Sequence, residues 1–207
     1  MKLILATRNQ HKIKEIKKIS SEHNGLNNKI EILALEDFPD VPEVEETGKT
    51  LEENAVIKAK SVYTATGIPA LADDSGLEVD ALDGAPGVMS ARFAGPGCSY
   101  KDNNLKLLDL LKSVPEEKRG ATFRCVVVLV LNPVDVRIAE GRVKGVITPK
   151  EIGKNGFGYD PVFFYTELGR TFAELEPEEK NRISHRGIAF RKAKELIKKI
   201  ISDYKDE

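Results

Sequence analysis

An α/β fold, built as a mixed β-sheet flanked by helices, is what this sequence predicts, on three observations. Short apolar runs of strand character alternate along the chain with segments whose apolar residues recur at helical spacing. A valine-rich run, Phe123 to Leu131, reads as a central buried strand, and Arg137 to Ile147 follows as its hairpin partner. No repeat, low-complexity tract or linker divides the 207 residues, so they read as one domain, 1–207.

The elements follow in order. Lys2 to Thr7 reads as a short buried strand. Ile13, Ile16 and Ile19 then recur at near-helical spacing among lysines, which makes Arg8 to Lys12 a strand-to-helix loop. A second strand is expected over Ile30 to Leu35, and the acidic residues and prolines from Glu36 to Glu46 indicate an exposed, irregular connector. Thr50 and Glu53 stand at capping-box spacing, so a helix should run to about Thr66, ended by Gly67 and Pro69. Leu51, Ala55 and Val62 form its apolar stripe, and Lys58 falls on the same stripe. Pro69 to Ala72 begins another strand, which enters Asp73-Asp74-Ser75-Gly76 and alternates through Leu77, Val79 and Ala81. Asp83 to Gly97, rich in Gly and Pro, is a loop or a chain of turns. Lys101 to Leu111 reads as a helix with Leu105, Leu108 and Leu111 in phase. A glycine-rich loop, Gly153 to Pro161, feeds a short strand at Val162 to Phe164, and Ile188 to Tyr204 is an amphipathic C-terminal helix.

Composition removes several function classes. Hydrophobic residues make up 41% and charged residues 31%, proportions that suit a globular chain and not a disordered one. A formal net charge of -1 leaves no bulk basic field for counterion release, so no nucleic-acid partner is expected. The longest apolar stretch, Cys125 to Leu131, is too short to span a bilayer, and no secretory h-region follows Met1. No membrane partner and a cytoplasmic location are therefore expected. Cys98 and Cys125 are too isolated for a metal-thiolate site and read as two buried thiols.

Five constellations carry chemistry, and each has two readings. Thr7-Arg8-Asn9-Gln10-His11-Lys12 puts hydroxyl, amide, main-chain N–H and lysine donors at a helix start, which suits a polyphosphate; the same residues also make an N-cap with a solvated lysine. Asp73 and Asp74 end an apolar run, and in an extended strand they point to opposite faces. One carboxylate can then face a cleft, to bind a divalent ion or orient water, while the other serves structure; a solvated acidic turn is the alternative. Glu45-Glu46-Thr47-Gly48 supplies carboxylates for a magnesium site, a metal that takes few protein ligands plus phosphate oxygens, or is a solvated loop. Lys58 on an apolar stripe either reaches a ligand or snorkels. Gly156-Phe157-Gly158-Tyr159-Asp160-Pro161 holds an aromatic between glycines, for stacking on a base or for a turn with a core ring. Lys180 and Ser184-His185-Arg186 place cations near a helix N-terminus, against its dipole, unless something negative or electron-rich stands nearby.

The ordered set of these segments resembles the inosine/xanthosine triphosphate pyrophosphatase family. The matching pieces are Thr7-x-Asn9-x-x-Lys12, Glu46-Thr47-Gly48 with Glu53-Asn54-Ala55, and Asp73-Asp74-Ser75-Gly76-Leu77. Gly84-Ala85-Pro86-Gly87, Ser90-Ala91-Arg92, Phe157-Gly158-Tyr159-Asp160-Pro161 and Ser184-His185-Arg186 complete it, covering nearly the whole chain. The resemblance implies an elongated sheet with two lobes around a central substrate cleft, a homodimer, and Mg2+ as cofactor. It implies magnesium-dependent cleavage of non-standard purine nucleoside triphosphates (ITP, dITP, XTP) to the monophosphate and pyrophosphate. By the same resemblance Thr7, Arg8, Asn9, Gln10, His11 and Lys12 hold the triphosphate, and Lys58 contacts phosphate. Glu46 and Asp74 face the metal, with Glu45 as the alternative to Glu46, and Asp74 is the base toward water. Ser75, Phe157, Gly158, Tyr159, Asp160, Lys180, His185 and Arg186 form the nucleoside pocket, where His185 or Arg186 donates to the six-oxygen of the base and so rejects adenine.

Two other readings compete. A septum-type nucleotide pyrophosphatase, of similar fold, carries a serine-rich, double-arginine segment after its first strand, where this chain has Thr7 to Lys12. A non-catalytic nucleotide-binding module needs neither the acidic pair nor Glu46, and both are present.

Overall fold

The computed structural model describes residues 1–21 and 30–203. Seven strands form one mixed sheet in the order β2-β1-β3-β4-β5-β6-β7. They are β1 (Lys2–Leu5), β2 (Glu31–Ala34), β3 (Ala70–Val79), β4 (Gly120–Val130), β5 (Val136–Ile147), β6 (Phe163–Tyr165) and β7 (Arg170–Thr171). β1 pairs in parallel with β2 and β3, whereas β6 is antiparallel to both β5 and β7. The helices are α1 (Gln10–Ser21), α2 (Leu51–Thr66), α3 (Tyr100–Leu110), α4 (Pro177–Ile183) and α5 (His185–Asp203). The expected α/β class, mixed sheet and central valine strand are all present.

The chain divides into two compact units, each discontinuous in sequence. One comprises Met1–Asp74, Cys125–Gly141 and Arg186–Glu207; the other comprises Ser75–Arg124 and Arg142–His185. β3, β4 and β5 contribute residues to both.

In the first unit the sheet's alternation decides everything near the acidic pair. Leu3, Leu5, Leu71, Cys125, Val127 and Leu129 pack with Ile13, Ile16 and Ile19 of α1 and Phe190, Ala193 and Ile197 of α5 in one apolar cluster. Ile4, Ala70, Ala72, Val126 and Val128 are equally buried but lie outside that cluster, because alternate residues of a strand face opposite sides. Continued along β3, the same alternation sends Asp73 to the α1 and α5 side and Asp74 to the other.

α2 starts where its sequence dictates. Thr50 is extended and its hydroxyl accepts from Glu53 N at 3.1 Å. The reciprocal half of the expected capping box is shifted by one residue, since Glu53 Oε2 accepts from Lys49 N at 2.6 Å. Gly67, with φ of 68°, ends the helix in the left-handed conformation that a glycine adopts without steric cost.

The second unit holds an aromatic core. Phe123 lies 4.5 Å from Phe163 and 5.8 Å from Phe172, ring centre to ring centre. α3 has a complete capping box between Ser99 and Asp102, but its buried face differs from the expected one. Asn103, Asn104, Leu107 and then Leu111 point inward, and Leu105 is 53% exposed. The phase was hidden because two asparagines occupy inward positions, where their amides bind loop carbonyls: Asn103 donates to Ser90 and Ala91, and Asn104 to Gly158. Cys98 and Cys125 are thiols and form no disulfide; Cys125 is buried as expected, whereas Cys98 is only half-buried. Among the described residues no helix is long and apolar enough to cross a membrane.

Replacing Thr50 by Ala removes the α2 cap and is expected to cost about 1 kcal/mol. Urea unfolding of the two proteins checks this, and equal midpoints would remove the cap from the account of α2.

Candidate active site

The corner between β1 and α1 is a capped helix start. Thr7 Oγ1 accepts from Asn9 N at 3.2 Å, and Asn9 Oδ1 accepts from His11 N at 3.0 Å and Lys12 N at 3.3 Å. The helix begins at Gln10, so Lys12 sits in its first turn and not in the loop expected there. Arg8 donates to the Val41 carbonyl at 2.9 Å, Gln10 donates to Glu36, and His11 is exposed. Of these six, Lys12 reaches the acidic pair, with Nζ 2.9 Å from Asp73 Oδ2.

Asp73 is fully buried, and Lys12 is one of its cations. Arg186, also buried, has Nε 3.6 Å from the same Oδ2 and pairs with Glu15 through Nη1. Burial pushes the Asp73 carboxyl up, but Lys12, Arg186 and Lys58 outweigh it and hold the group well below the usual carboxylate range. Arg186 is likewise raised: burial opposes its charge, and Glu15 and Asp73 outweigh burial.

Asp74 faces α2. Its Oδ1 is 2.8 Å from Lys58 Nζ and its Oδ2 accepts from Asn54 Nδ2 at 3.4 Å. Lys58 also donates to Glu46 Oε1 at 2.9 Å, so one ammonium is held between two carboxylates. Glu45, by contrast, is exposed. Burial raises the Asp74 carboxyl above its ordinary value, against the opposing pull of Lys58 and Lys12. Lys58 pays the reverse cost: burial disfavours its charge, yet Asp74, Asp73 and Glu46 raise it overall.

That arrangement bears on a metal. Among the described residues no group of three or more His, Cys, Asp or Glu side chains gathers to hold an ion. Glu46 and Asp74, however, already share one cation, the Lys58 ammonium. Two carboxylates fit a hard divalent ion that brings its remaining oxygen ligands as water and phosphate.

The second unit carries the aromatic set. Gly156 and Gly158 have φ of 74° and 63°. A Cβ on Gly156 would lie 2.1 Å from Asp160 Oδ2, so only glycine lets the loop close on that carboxylate. Asp160 Oδ2 accepts from Phe157 N at 2.7 Å and from the buried Lys180 at 2.6 Å. Lys180 Nζ stands 4.9 Å from the Phe157 ring centre, and Tyr100 packs at 5.8 Å from that ring. Tyr159 is a strut: its hydroxyl donates to the Ser90 carbonyl at 2.9 Å, and burial pushes its ionisation up. His185 stacks on Phe123 with ring centres 4.5 Å apart and planes 6° apart. Ser75, half-buried in β3, directly follows Asp74.

The expected residues thus fall into two groups. Lys12, Glu46, Lys58, Asp74 and Arg186 share one network of charges; Phe157, Gly158, Asp160 and Lys180 share another with an aromatic ring. His185 and Arg186 are consecutive but engage different neighbours, Phe123 and Asp73. Asn54, Glu15, Asn104 and Phe123 were given no role from sequence. Asn54 had a readable signal, as a polar residue one turn before Lys58 on the apolar stripe of α2; Glu15 and Phe123 had none.

The sequence matches the Ham1 family over residues 3–196. It is 54% identical over 189 residues to a curated protein of Geobacter sulfurreducens named dITP/XTP pyrophosphatase, covering 91% of this chain and 92% of that one. A protein of the same name from Elusimicrobium minutum is 50% identical, with 96% and 100% covered. Among solved structures, a HAM1 protein from Coxiella burnetii is similar at TM-score 0.87 and 40% identity, covering 96% of this chain and 99% of that one. The Ham1 protein of Staphylococcus aureus reaches TM-score 0.85 at 36% identity, with 96% and 98% covered.

The buried Asp73 cluster sets a pH-dependent part of the stability. Asp73 has a lowered folded pKa, so its contribution is complete above the ordinary carboxylate value of 3.8 and is lost as pH falls from there through the folded value. Asp73→Asn removes the carboxylate that Lys12 and Arg186 share and is expected to cost about 3 kcal/mol or more at pH 7. The gap from wild type should shrink at pH 3 in paired denaturant titrations; a gap that is the same at both pH values contradicts this account.

Proposed function

From the premise that this chain belongs to the Ham1 family, we infer that it is a nucleoside triphosphate pyrophosphatase. It hydrolyses non-standard purine nucleoside triphosphates to the monophosphate and pyrophosphate, and thereby clears them from the nucleotide pool. The observation that carries this reading is the Lys58 ammonium held between Glu46 and Asp74, two carboxylates beside a lysine-bearing helix start.

We propose magnesium as the cation, with Glu46 and Asp74 as its protein ligands. When bound, it neutralises phosphate oxygens and lowers the pKa of a nearby water. The chain's own residues do the rest by position and charge. The Asp74 carboxylate takes the proton from the water that attacks the α-phosphorus. Lys12 and Lys58 offset the charge that gathers on the departing pyrophosphate. Thr7, Arg8, Asn9, Gln10 and His11 complete the triphosphate end, with the Asn9 amide nitrogen left to donate once its oxygen caps α1.

The base end is assigned to the aromatic set. Phe157 offers a ring for stacking, with Lys180 on it and Asp160 fixing both. Ser75, Gly158 and Tyr159 shape the same region. Because Arg186 pairs with Glu15 and Asp73, the donor to the six-oxygen is assigned to His185, and Arg186 is kept for that ion-pair network. Adenine presents an amino group there, so a buried donor would face a donor. A homodimer and a cytoplasmic location belong to the same proposal; Met89, 43% exposed in the 83–97 loop, is a candidate for the dimer contact.

Pyrophosphate release from ITP is expected with magnesium and not with EDTA, and ATP should turn over more slowly than ITP. Asp74→Asn should fold but lose about 10²–10⁴-fold in turnover. Near-wild-type activity of that variant removes Asp74 as the base, and equal rates on ATP and ITP remove the His185 donor.

A further inference from the structure

Asn54 is completely buried although its side chain is polar, and burying an amide is costly unless its hydrogen bonds are met. Its amide meets two partners in the candidate site. Oδ1 accepts from Gly48 N at 2.7 Å, and Nδ2 donates to Asp74 Oδ2 at 3.4 Å. Lys58 lies one helical turn further along α2, so both side chains emerge on the same flank. Two bridges therefore join the Glu46–Gly48 segment to Asp74. One is the charged Lys58 link between Glu46 Oε1 and Asp74 Oδ1; the other is the neutral amide of Asn54.

The two bridges respond differently to a divalent ion. An ion drawn to Glu46 and Asp74 competes with the ammonium for the same carboxylates and repels it, so the charged bridge opens. The amide has no net charge and holds the other oxygen of Asp74, so it persists. Its fit is close: a Cβ on Gly48 would stand 2.6 Å from Asn54 Oδ1 and 2.7 Å from Glu53 Cβ. The backbone of the carboxylate segment is thus pressed against the start of α2.

We propose that Asn54 is a positioning residue that keeps the Glu46 segment and the Asp74 carboxylate in register for a divalent ion once Lys58 has been displaced. The proposal rests on the reading of Glu46 and Asp74 as metal ligands of the pyrophosphatase. Groups that orient metal ligands without touching the ion characteristically influence its affinity by about ten- to a hundredfold when removed.

The test measures the metal directly as well as turnover. Mn2+ binding to nucleotide-free protein is followed by electron paramagnetic resonance, the magnesium dependence of pyrophosphate release from ITP by kinetics, and inosine monophosphate binding without metal by calorimetry. Asn54→Ala is expected to raise the Mn2+ dissociation constant and the half-maximal magnesium concentration by about tenfold, and to leave monophosphate binding within about twofold. A folded Asn54→Ala protein with unchanged metal dependence overturns the proposal, and so does a parallel loss of metal and monophosphate binding, which marks a purely structural role. Gly48→Ala pushes the same amide from the other side and should move metal dependence in the same direction; it decides the matter if Asn54→Ala does not fold. A wild-type protein that needs no divalent ion sinks the functional reading itself, whereas a metal-dependent wild type beside an unaltered variant sinks only the role of Asn54.

Discussion

Two adjacent carboxylates cannot share one dry environment, and β3 separates them by sending them to opposite faces of the sheet. Asp73 goes to the α1 and α5 side, where Lys12 and Arg186 neutralise it. Asp74 goes to the α2 side, where Lys58 and Asn54 take one oxygen each. α1, α2 and the first turn of α5 therefore deliver their polar groups to a single step in the strand. The buried charge is tolerable only because each carboxylate has its own cation.

The same step divides the labour. Asp73 is held ionised and fully enclosed, so it fixes the direction of Lys12 and is unavailable to solvent. Asp74 is pushed the other way by burial and is joined to Glu46 through Lys58, the ammonium proposed to give way to a metal ion. One carboxylate is structural ballast for a cation, and the other is chemically responsive, although the two are neighbours in sequence.

The aromatic set uses the complementary device of backbone geometry. Left-handed glycines at 156 and 158 fold the loop so that Asp160 gathers the Phe157 amide and the Lys180 ammonium. Asp74 of the charged set is followed directly in sequence by Ser75, and His185 is followed directly by Arg186 of the charged set. Two peptide bonds thus link the groups proposed for the phosphates with those proposed for the base.

Much of this was written in the order of residues. Strand and helix periods, the Thr50 cap, the Gly67 stop and the valine run determine the elements, because each depends on neighbours a few residues away. The opposed directions of Asp73 and Asp74 follow from strand geometry, and the misfit of Lys58 on an apolar stripe is visible without coordinates. What the side chains meet was settled only in three dimensions. Glu15 finds Arg186 across 171 positions, Asn103 and Asn104 turn inward in place of Leu105, and Glu46 rather than Glu45 reaches Lys58. Those outcomes depend on which loop carbonyls and charges arrive from distant segments, and no local pattern encodes that arrival.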